Sequence, residues 1–335
     1  MQPFVARYWQ ALDQTLRDIV ASAPKAPGFN VLLEYPMGWV DADGNSVQLP
    51  GGKRIRPLLL LLCAEASGGD WQAALPAAAA VEILHNFSLI HDDIEDESPL
   101  RHGRPTVWRQ WGLNNAINAG DAMFALSYDA LARLQGCVPD SVAMSALRIF
   151  SQTNLDLTRG QHLDMRFETQ PQVTTDEYLS MIEGKSAALL AASAQIGALI
   201  GSGEDETAGH YRDFGLNLGL AFQIRDDILG IWGDPAVTGK SAATDILSRK
   251  KSIPVLFGLE RSSDLRDLYA KEPFGEAEVS EAVRLLDSLN TREYTANLES
   301  VYHQRALDAL VAAKPIEPAA SGLSGLLDTL LGRMS

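Results

Sequence analysis

Apolar residues recur along nearly the whole chain at spacings of three and four. Tyr8, Leu12, Leu16 and Ile19, with Phe4, Val5 and Trp9 beside them, make one such stripe. Charges interrupt it, so it predicts an amphipathic helix rather than a signal peptide. The run Leu58–Ala64 predicts a helix from about Lys53 to Ala66, ended by Ser67-Gly68-Gly69-Asp70. Another runs from about Ala73 to Asp96 and stops at Ser98-Pro99. Further helices are expected near Asn114–Leu134, Ser141–Glu168, Thr175–Gly201, Asp205–Trp232, Lys251–Leu259, Glu276–Ser288 and Thr291–Ala313, with a short one over Leu323–Arg333. Strand-like alternation is nearly absent. The stretch from Pro27 to Gly52 holds Pro36, Asp43-Gly44 and Pro50 and reads as loop, as do Arg101–Thr106 and Gly233–Arg249. Ala187–Ile200 is the most membrane-like stretch, but it is too short and too rich in Ala, Ser and Gln to cross a bilayer. With no repeat or linker in view, the pattern predicts an all-α protein, a single domain over residues 1–335 in which roughly ten or more helices pack as one large bundle.

Composition narrows the function. Hydrophobic residues make up 46% of the 335 and charged residues 21%, a globular balance with enough apolar material to bury a long apolar ligand. A formal net charge of −15 argues against nucleic acid and against an anionic membrane surface, so neither a nucleic-acid partner nor a stable membrane anchor is expected. An anionic small molecule fits only where basic side chains or metal ions overcome that field. Cys63 and Cys137 lie far apart in no metal-ligand spacing; both read as core thiols, and the chain as cytoplasmic.

Four short segments carry chemistry. In His91-Asp92-Asp93-Ile94-Glu95-Asp96, Asp92 and Asp96 are i and i+4, so their carboxylates share one face at the C-terminal end of a helix. Mutual repulsion and the macrodipole both disfavour anions there, and a cation between them relieves both. Oxygen donors suit Mg²⁺. Phe222-Gln223-Ile224-Arg225-Asp226-Asp227-Ile228-Leu229-Gly230 repeats the theme at the end of a second apolar helix. Gly51-Gly52-Lys53-Arg54-Ile55-Arg56-Pro57 puts Lys53 and Arg56 at a helix start, where backbone N–H groups favour an anion. Arg101-His102-Gly103-Arg104-Pro105-Thr106 follows the first acidic segment directly, and Lys185 and Lys240 are two further candidate phosphate contacts.

In this order the segments resemble the trans-isoprenyl diphosphate synthases (polyprenyl synthetases), a family that includes farnesyl and geranylgeranyl diphosphate synthases. The resemblance covers about Gly51 to Leu256. It implies an isoprenoid synthase-like bundle around a deep central cavity, with the two acidic segments facing each other. It implies three Mg²⁺ ions, with Mn²⁺ as an alternative, held by Asp92, Asp96 and Asp226 and supported by Asp93 and Asp227. The implied substrates are isopentenyl diphosphate and an allylic diphosphate. Arg101, Lys185 and Lys240 match contacts to the allylic diphosphate, and Lys53, Arg56 and His85 match the isopentenyl diphosphate site. Gln223 matches a residue near the reacting centre, and Ser186 replaces a more usual Thr. Phe87 and Ser88, one turn before Asp92, match positions where bulk stops elongation. One aromatic and one small residue there favour a geranylgeranyl product, with farnesyl next. A homodimer is the family's usual assembly.

Two positions depart from the family pattern. Gly230 stands where the second motif has its third aspartate, and His102 stands where many members have a second arginine that helps hold isopentenyl diphosphate. A terpene-synthase-like lyase on the same scaffold and a noncatalytic regulatory subunit are the alternatives. Retention of Lys53, Arg56 and His85 argues against the first, and the complete Asp92–Asp96 motif argues against the second.

Overall fold

The computed structural model describes residues 6–47, 49, 52, 54–233 and 244–331. It is all-α: among these residues the single ladder is a two-stranded hairpin of β1 (Leu100–Arg101) and β2 (Arg104–Pro105). The chain parts into two compact units. The first lies within Met1–Ile149, Ser193–Ala208 and Pro315–Gly325, and the second within Phe150–Ala192, Gly209–Lys314 and Leu326–Ser335.

In the first unit, α1 (Ala6–Ala21) buries Tyr8, Leu12, Leu16 and Ile19, the stripe its sequence shows. Helix α2 (Phe29–Glu34) falls inside the stretch expected to be loop; it forms because Leu32 and Leu33 bury while Gly28, at φ 78°, turns the chain into it. Helix α3 (Ile55–Ala66) buries Leu58 to Leu62 entirely. After a 3-10 turn at Trp71–Ala74 comes α4 (Leu75–Glu95), whose small residues Ala77 to Ala80 let its neighbours approach closely. Helices α5 (Val107–Trp111) and α6 (Leu113–Ala132) follow the hairpin. Helix α7 (Asp140–Thr169) begins in this unit and α9 (Ala188–Ser202) ends in it. Along α9, a Cβ on Gly197 would lie 2.2 Å from the Leu60 carbonyl oxygen, and one on Gly201 would lie 2.2 Å from that of Ala64. Two glycines one turn apart thus set backbone against backbone, and any larger residue would part the helices. The segment Trp71–Glu95 is long and apolar enough to cross a membrane by length and composition, but 61% of its window is buried, as in a core helix.

The second unit holds α8 (Thr175–Ile182) and most of α10 (Asp205–Trp232). It also holds α11 (Thr244–Leu247), α12 (Ile253–Arg261), α13 (Ser263–Tyr269), α14 (Glu276–Ser288) and α15 (Thr291–Ala313). A last helix, α16 (Ala319–Leu331), has residues in both units. One cluster packs Phe167, Tyr178, Met181, Ile224 and Leu256, and another packs Ile231, Ile246, Val255, Leu268 and Leu286. The expected continuous helix over Thr175–Gly201 is broken by a wide π-turn at Glu183–Ala187. Gly184 there meets Gly160 of α7: a Cβ on Gly184 would lie 2.6 Å from the Asp156 carbonyl oxygen, and one on Gly160 would lie 2.2 Å from the Lys185 nitrogen. The extra residue per turn aims Lys185 differently from a regular helix, a device common at functional sites. Helix α13 is hidden from periodicity by Ser262, Ser263 and Asp264, which look like a turn; Ser262 Oγ instead caps the helix, accepting from the Leu265 N–H at 3.1 Å.

One smaller expectation fails. Cys63 is buried, as read, but Cys137 is exposed in the turn after α6, its Sγ donating to the Arg133 carbonyl oxygen at 3.4 Å. Both thiols are free.

Candidate active site

In the first unit, a cavity of about 750 Å³ opens between the starts of α3 and the hairpin and the later turns of α4. Arg54, Arg56, His85, Arg101, His102 and Arg104 line it, together with Glu82 and Asp93. Four arginines against two acids in one cavity reverse the sign of the chain's net charge locally. Arg56 Nη1 donates to His85 Nε2 at 3.1 Å. Burial, and then the positive charges of Arg56, Arg101 and His102, hold the His85 imidazole well below its ordinary pKa. The ring is therefore neutral, and with Nε2 accepting, its proton sits on Nδ1. Glu82, 5% exposed, is pushed up by burial against the opposing pull of Arg54 and Arg56. Arg56 Nε is buried with no hydrogen-bond partner among the described residues. A guanidinium so placed retains a donor for an anionic ligand.

The hairpin positions the remaining basic groups. Its two-residue turn puts His102 at φ 51° and Gly103 at φ 76°, the pair of left-handed residues that a tight primed turn requires, so the expected loop over Arg101–Thr106 is instead a register-fixed ladder. Arg101 leaves β1 toward the end of α4, donating from Nε to Asp93 Oδ1 at 2.8 Å and from Nη2 to Asp92 Oδ2 at 3.1 Å. Burial raises the Asp93 carboxyl to about 6, and the charge of Asp92 adds to that; Arg101 opposes it. Arg104 acts differently. Its guanidinium donates to the carbonyls of Tyr35 and Val40 at 3.2 and 2.9 Å and stacks 3.9 Å from the Tyr35 ring centroid, tying the segment after α2 to the cavity wall. One turn before Asp92, the Phe87 ring lies 4.7 Å from that of His91 and 5.1 Å from that of Phe124 on α6, while Ser88 Oγ donates back to the His85 carbonyl at 2.8 Å.

In the second unit the sites lie along α10 and the π-turn. Ser186 Oγ donates to Gln223 Oε1 at 2.7 Å, and Gln223 Nε2 donates to Asp227 Oδ1 at 3.2 Å. Asp227, 1% exposed, also accepts from the Tyr178 hydroxyl at 2.8 Å and the Ile253 N–H at 3.2 Å. Burial raises it to about 6 against these donors and Lys250. It joins α8, α10 and α12. Lys185 Nζ lies 2.5 Å from Asp164 Oδ2. Lys251 Nζ reaches the carbonyl oxygen of Phe167 at 2.5 Å, where a cation suits the negative end of α7.

The chain as a whole has known relatives. The sequence profile of the polyprenyl synthetase family matches residues 39–286. The chain belongs to the polyprenyl synthetase family. A (2E,6E)-farnesyl diphosphate synthase of Mycobacterium tuberculosis (strain H37Rv) is 45% identical over 229 residues, which cover 68% of this chain and 63% of that protein, less than two thirds of its length. A geranylgeranyl diphosphate synthase of the same strain is 44% identical over 239 residues, 70% of this chain and 67% of that one. Among solved structures, a polyprenyl synthetase from Streptomyces coelicolor A3(2) superposes with a TM-score of 0.89 at 36% identity, over 97% of this chain and 98% of the other.

Polyprenyl synthetases are in general Mg²⁺-dependent, and the donor set here suits that ion. Asp92 and Asp96 lie a turn apart at the end of α4, where Asp96 caps the helix. Among the described residues no three of His, Cys, Asp and Glu are gathered closely enough to hold an ion unaided. Mg²⁺ is usually bound through one or two carboxylates and completes its shell with water and phosphate, a set that two aspartates one turn apart can begin. Of the residues singled out by sequence, Arg56, His85, Arg101 and His102 share the first unit's cavity, and Ser186 and Gln223 share a hydrogen bond in the second. Lys53 and Lys240 lie outside the described residues. Sequence reading gave no role to Glu82, Arg104, Tyr178 and Asp164. Glu82 had one available signal, a lone acid in the apolar run Ala77–Leu84. The other three are defined by partners remote in sequence.

Proposed function

We propose that this chain is a short-chain trans-prenyltransferase acting as one catalytic domain. It condenses isopentenyl diphosphate with allylic diphosphates, yielding mainly geranylgeranyl diphosphate and secondarily farnesyl diphosphate. The observation that carries the reading is the cavity in which Arg56, His85, Arg101 and His102 converge while Arg101 also reaches Asp92 and Asp93. A basic pocket for one diphosphate thus adjoins a carboxylate pair suited to the metal of another. A lyase would need only the second.

In this reading Asp92, Asp96 and Asp226 would hold three Mg²⁺ ions, which would supply charge compensation to the departing diphosphate. Arg101, Lys185 and Lys240 bind the allylic diphosphate. A pair of unit charges at 4 Å is worth about 4 kcal/mol at an effective dielectric of 20, so a few such contacts lower the barrier substantially. The allylic C–O bond breaks, leaving pyrophosphate and a carbocation. Lys53, Arg56, His85 and His102 orient isopentenyl diphosphate, whose double bond attacks that cation, and the proton lost in restoring the alkene passes to pyrophosphate. Gln223, fixed by Ser186 and Asp227, lies near the reacting carbon. The growing tail runs toward Phe87, which Phe124 backs.

Leu113, Ile117 and Phe124 are exposed at helical spacing on α6, with Met144 exposed near the start of α7. This apolar face supports a homodimer, which light scattering would detect. Two free thiols fit a cytoplasmic setting. The test is incubation with Mg²⁺, labelled isopentenyl diphosphate and dimethylallyl, geranyl or farnesyl diphosphate in turn. Labelled twenty-carbon product is expected, and no labelled prenyl product from any of the three would overturn the reading.

A further inference from the structure

Four arginines line the first unit's cavity, and they are not equally free to meet a ligand. Arg56 keeps a buried donor without a partner among the described residues. Arg54 is committed elsewhere. Its Nη1 donates to Asp13 Oδ1 on α1 at 2.9 Å, across 41 positions of chain, and its side chain is only 9% exposed. The other oxygen of that carboxylate accepts from Arg17 Nε at 2.8 Å. Arg17 in turn lies 4.5 Å from the ring centroid of Trp39, which is buried in the segment after α2. Asp13 thus joins α1 to the start of α3 and, through Arg17, to the segment that Arg104 holds from the other side.

The joint falls where α3 takes its direction. Arg54 is the residue before α3, at φ 42° and ψ 43°, and its side chain does not cap the helix. An L residue holds this left-handed conformation only at a cost, and the Asp13 contact offsets it at the same residue. The Arg54 carbonyl accepts the first bond of the helix, from the Leu58 N–H at 3.3 Å. Arg56 follows in the first turn, where its Nη1 meets His85 at 3.1 Å. Rotation of the backbone at Arg54 would therefore swing the chain just ahead of Arg56. Behind Asp13, Tyr8, Leu12 and Leu16 are buried and seat α1, so the carboxylate is a fixed point. Asp13 itself precedes residues 39–286, the part that the family profile matches.

We propose that Asp13 is a positioning residue of the isopentenyl diphosphate pocket: it holds Arg54 as a brace, away from the ligand, and so sets the start of α3 from which Arg56 reaches into the cavity. This rests on the reading of that cavity as a diphosphate site. Bracing and simple electrostatics predict opposite signs. Asp13 is an acid beside a basic cavity, so by field alone its removal strengthens the binding of an anion. Removal of a brace weakens it.

The experiment compares wild type with Asp13→Asn, Arg54→Gln, the double variant Asp13→Asn/Arg54→Gln and Asp18→Asn, which removes an equal charge from an exposed position of α1. Binding of isopentenyl diphosphate is measured by calorimetry in EDTA, and turnover with geranyl diphosphate and Mg²⁺ gives kcat and both Michaelis constants. Asp13→Asn is expected to raise the Kd and KM of isopentenyl diphosphate about tenfold, within what displacement of a positioning group costs. Its kcat and its KM for geranyl diphosphate should change by less than about twofold, the pattern of a lost binding contribution. Arg54→Gln should match it, the double variant should be no worse than either single one, and Asp18→Asn should bind at least as tightly as wild type. Binding by Asp13→Asn as tight as wild type or tighter, a loss in kcat alone, or losses that multiply in the double variant would each overturn the proposal. If wild type binds isopentenyl diphosphate but forms no prenyl product, the prenyltransferase reading falls and the Kd series still decides on the brace. If wild type does not bind it, both fall.

Discussion

The two acidic segments are alike in sequence and are built differently. In each, the second of two adjacent aspartates is buried and has its carboxyl raised to about 6, chiefly by burial. Asp93 is met by a cation, the Nε of Arg101, which also holds Asp92. Asp227 is met by neutral donors from Tyr178, Gln223 and Ile253. The first arrangement ties a carboxylate pair to a positive charge that borders a cavity. The second uses a carboxylate as an internal joint between helices. In each Asp-Asp pair the second residue is thus held by the scaffold, and the partner that holds it differs from one unit to the other.

The largest expected effect separates the two roles. Asp92→Asn should lower kcat by about 10²–10³-fold, as for loss of one transition-state contact, while leaving the far-ultraviolet circular dichroism and Tm near wild type. A stable variant with full activity would remove Asp92 from the chemistry. Asp227→Ala should do the reverse and reduce unfolding free energy in urea by about 3 kcal/mol, because it leaves the Tyr178 hydroxyl and the Ile253 N–H buried without their acceptor. A loss no larger than that of a surface Asp→Ala change would mean that Asp227 is not a joint. Tyr178→Phe removes one of those donors and should lose about 1 kcal/mol by the same measurement; Arg101→Gln should affect the Michaelis constants more than urea stability. The finest test is Phe87→Ala. It opens space beside Phe124 and should lengthen the product by one or more five-carbon units on chromatography, whereas an unchanged product would place the end of the tail elsewhere.

How much was legible depends on the range of the interaction that fixes each feature. The stripe Tyr8–Leu12–Leu16–Ile19 and the run Leu58–Leu62 announced buried helices because each side chain's environment follows from its own turn of helix. The hairpin at Arg101–Pro105 did not, since a two-residue turn with His102 and Gly103 looks like any loop until the partner strand is in register. The π-turn at Glu183–Ala187 was equally silent, because its cause is the approach of Gly160 from α7. In the site, Arg56 and His85 were named separately, and folding made them a hydrogen-bonded pair.

The sequence by itself determined the helical architecture, the basic and acidic segments and the family, because periodicity and short motifs are local properties of the chain. Tertiary structure decided what each charge does. Asp93 is held by a cation and Asp227 by neutral donors, according to which remote side chain arrives beside it. Burial and Coulomb energy depend on distance in space, and that distance exists only once the helices have packed.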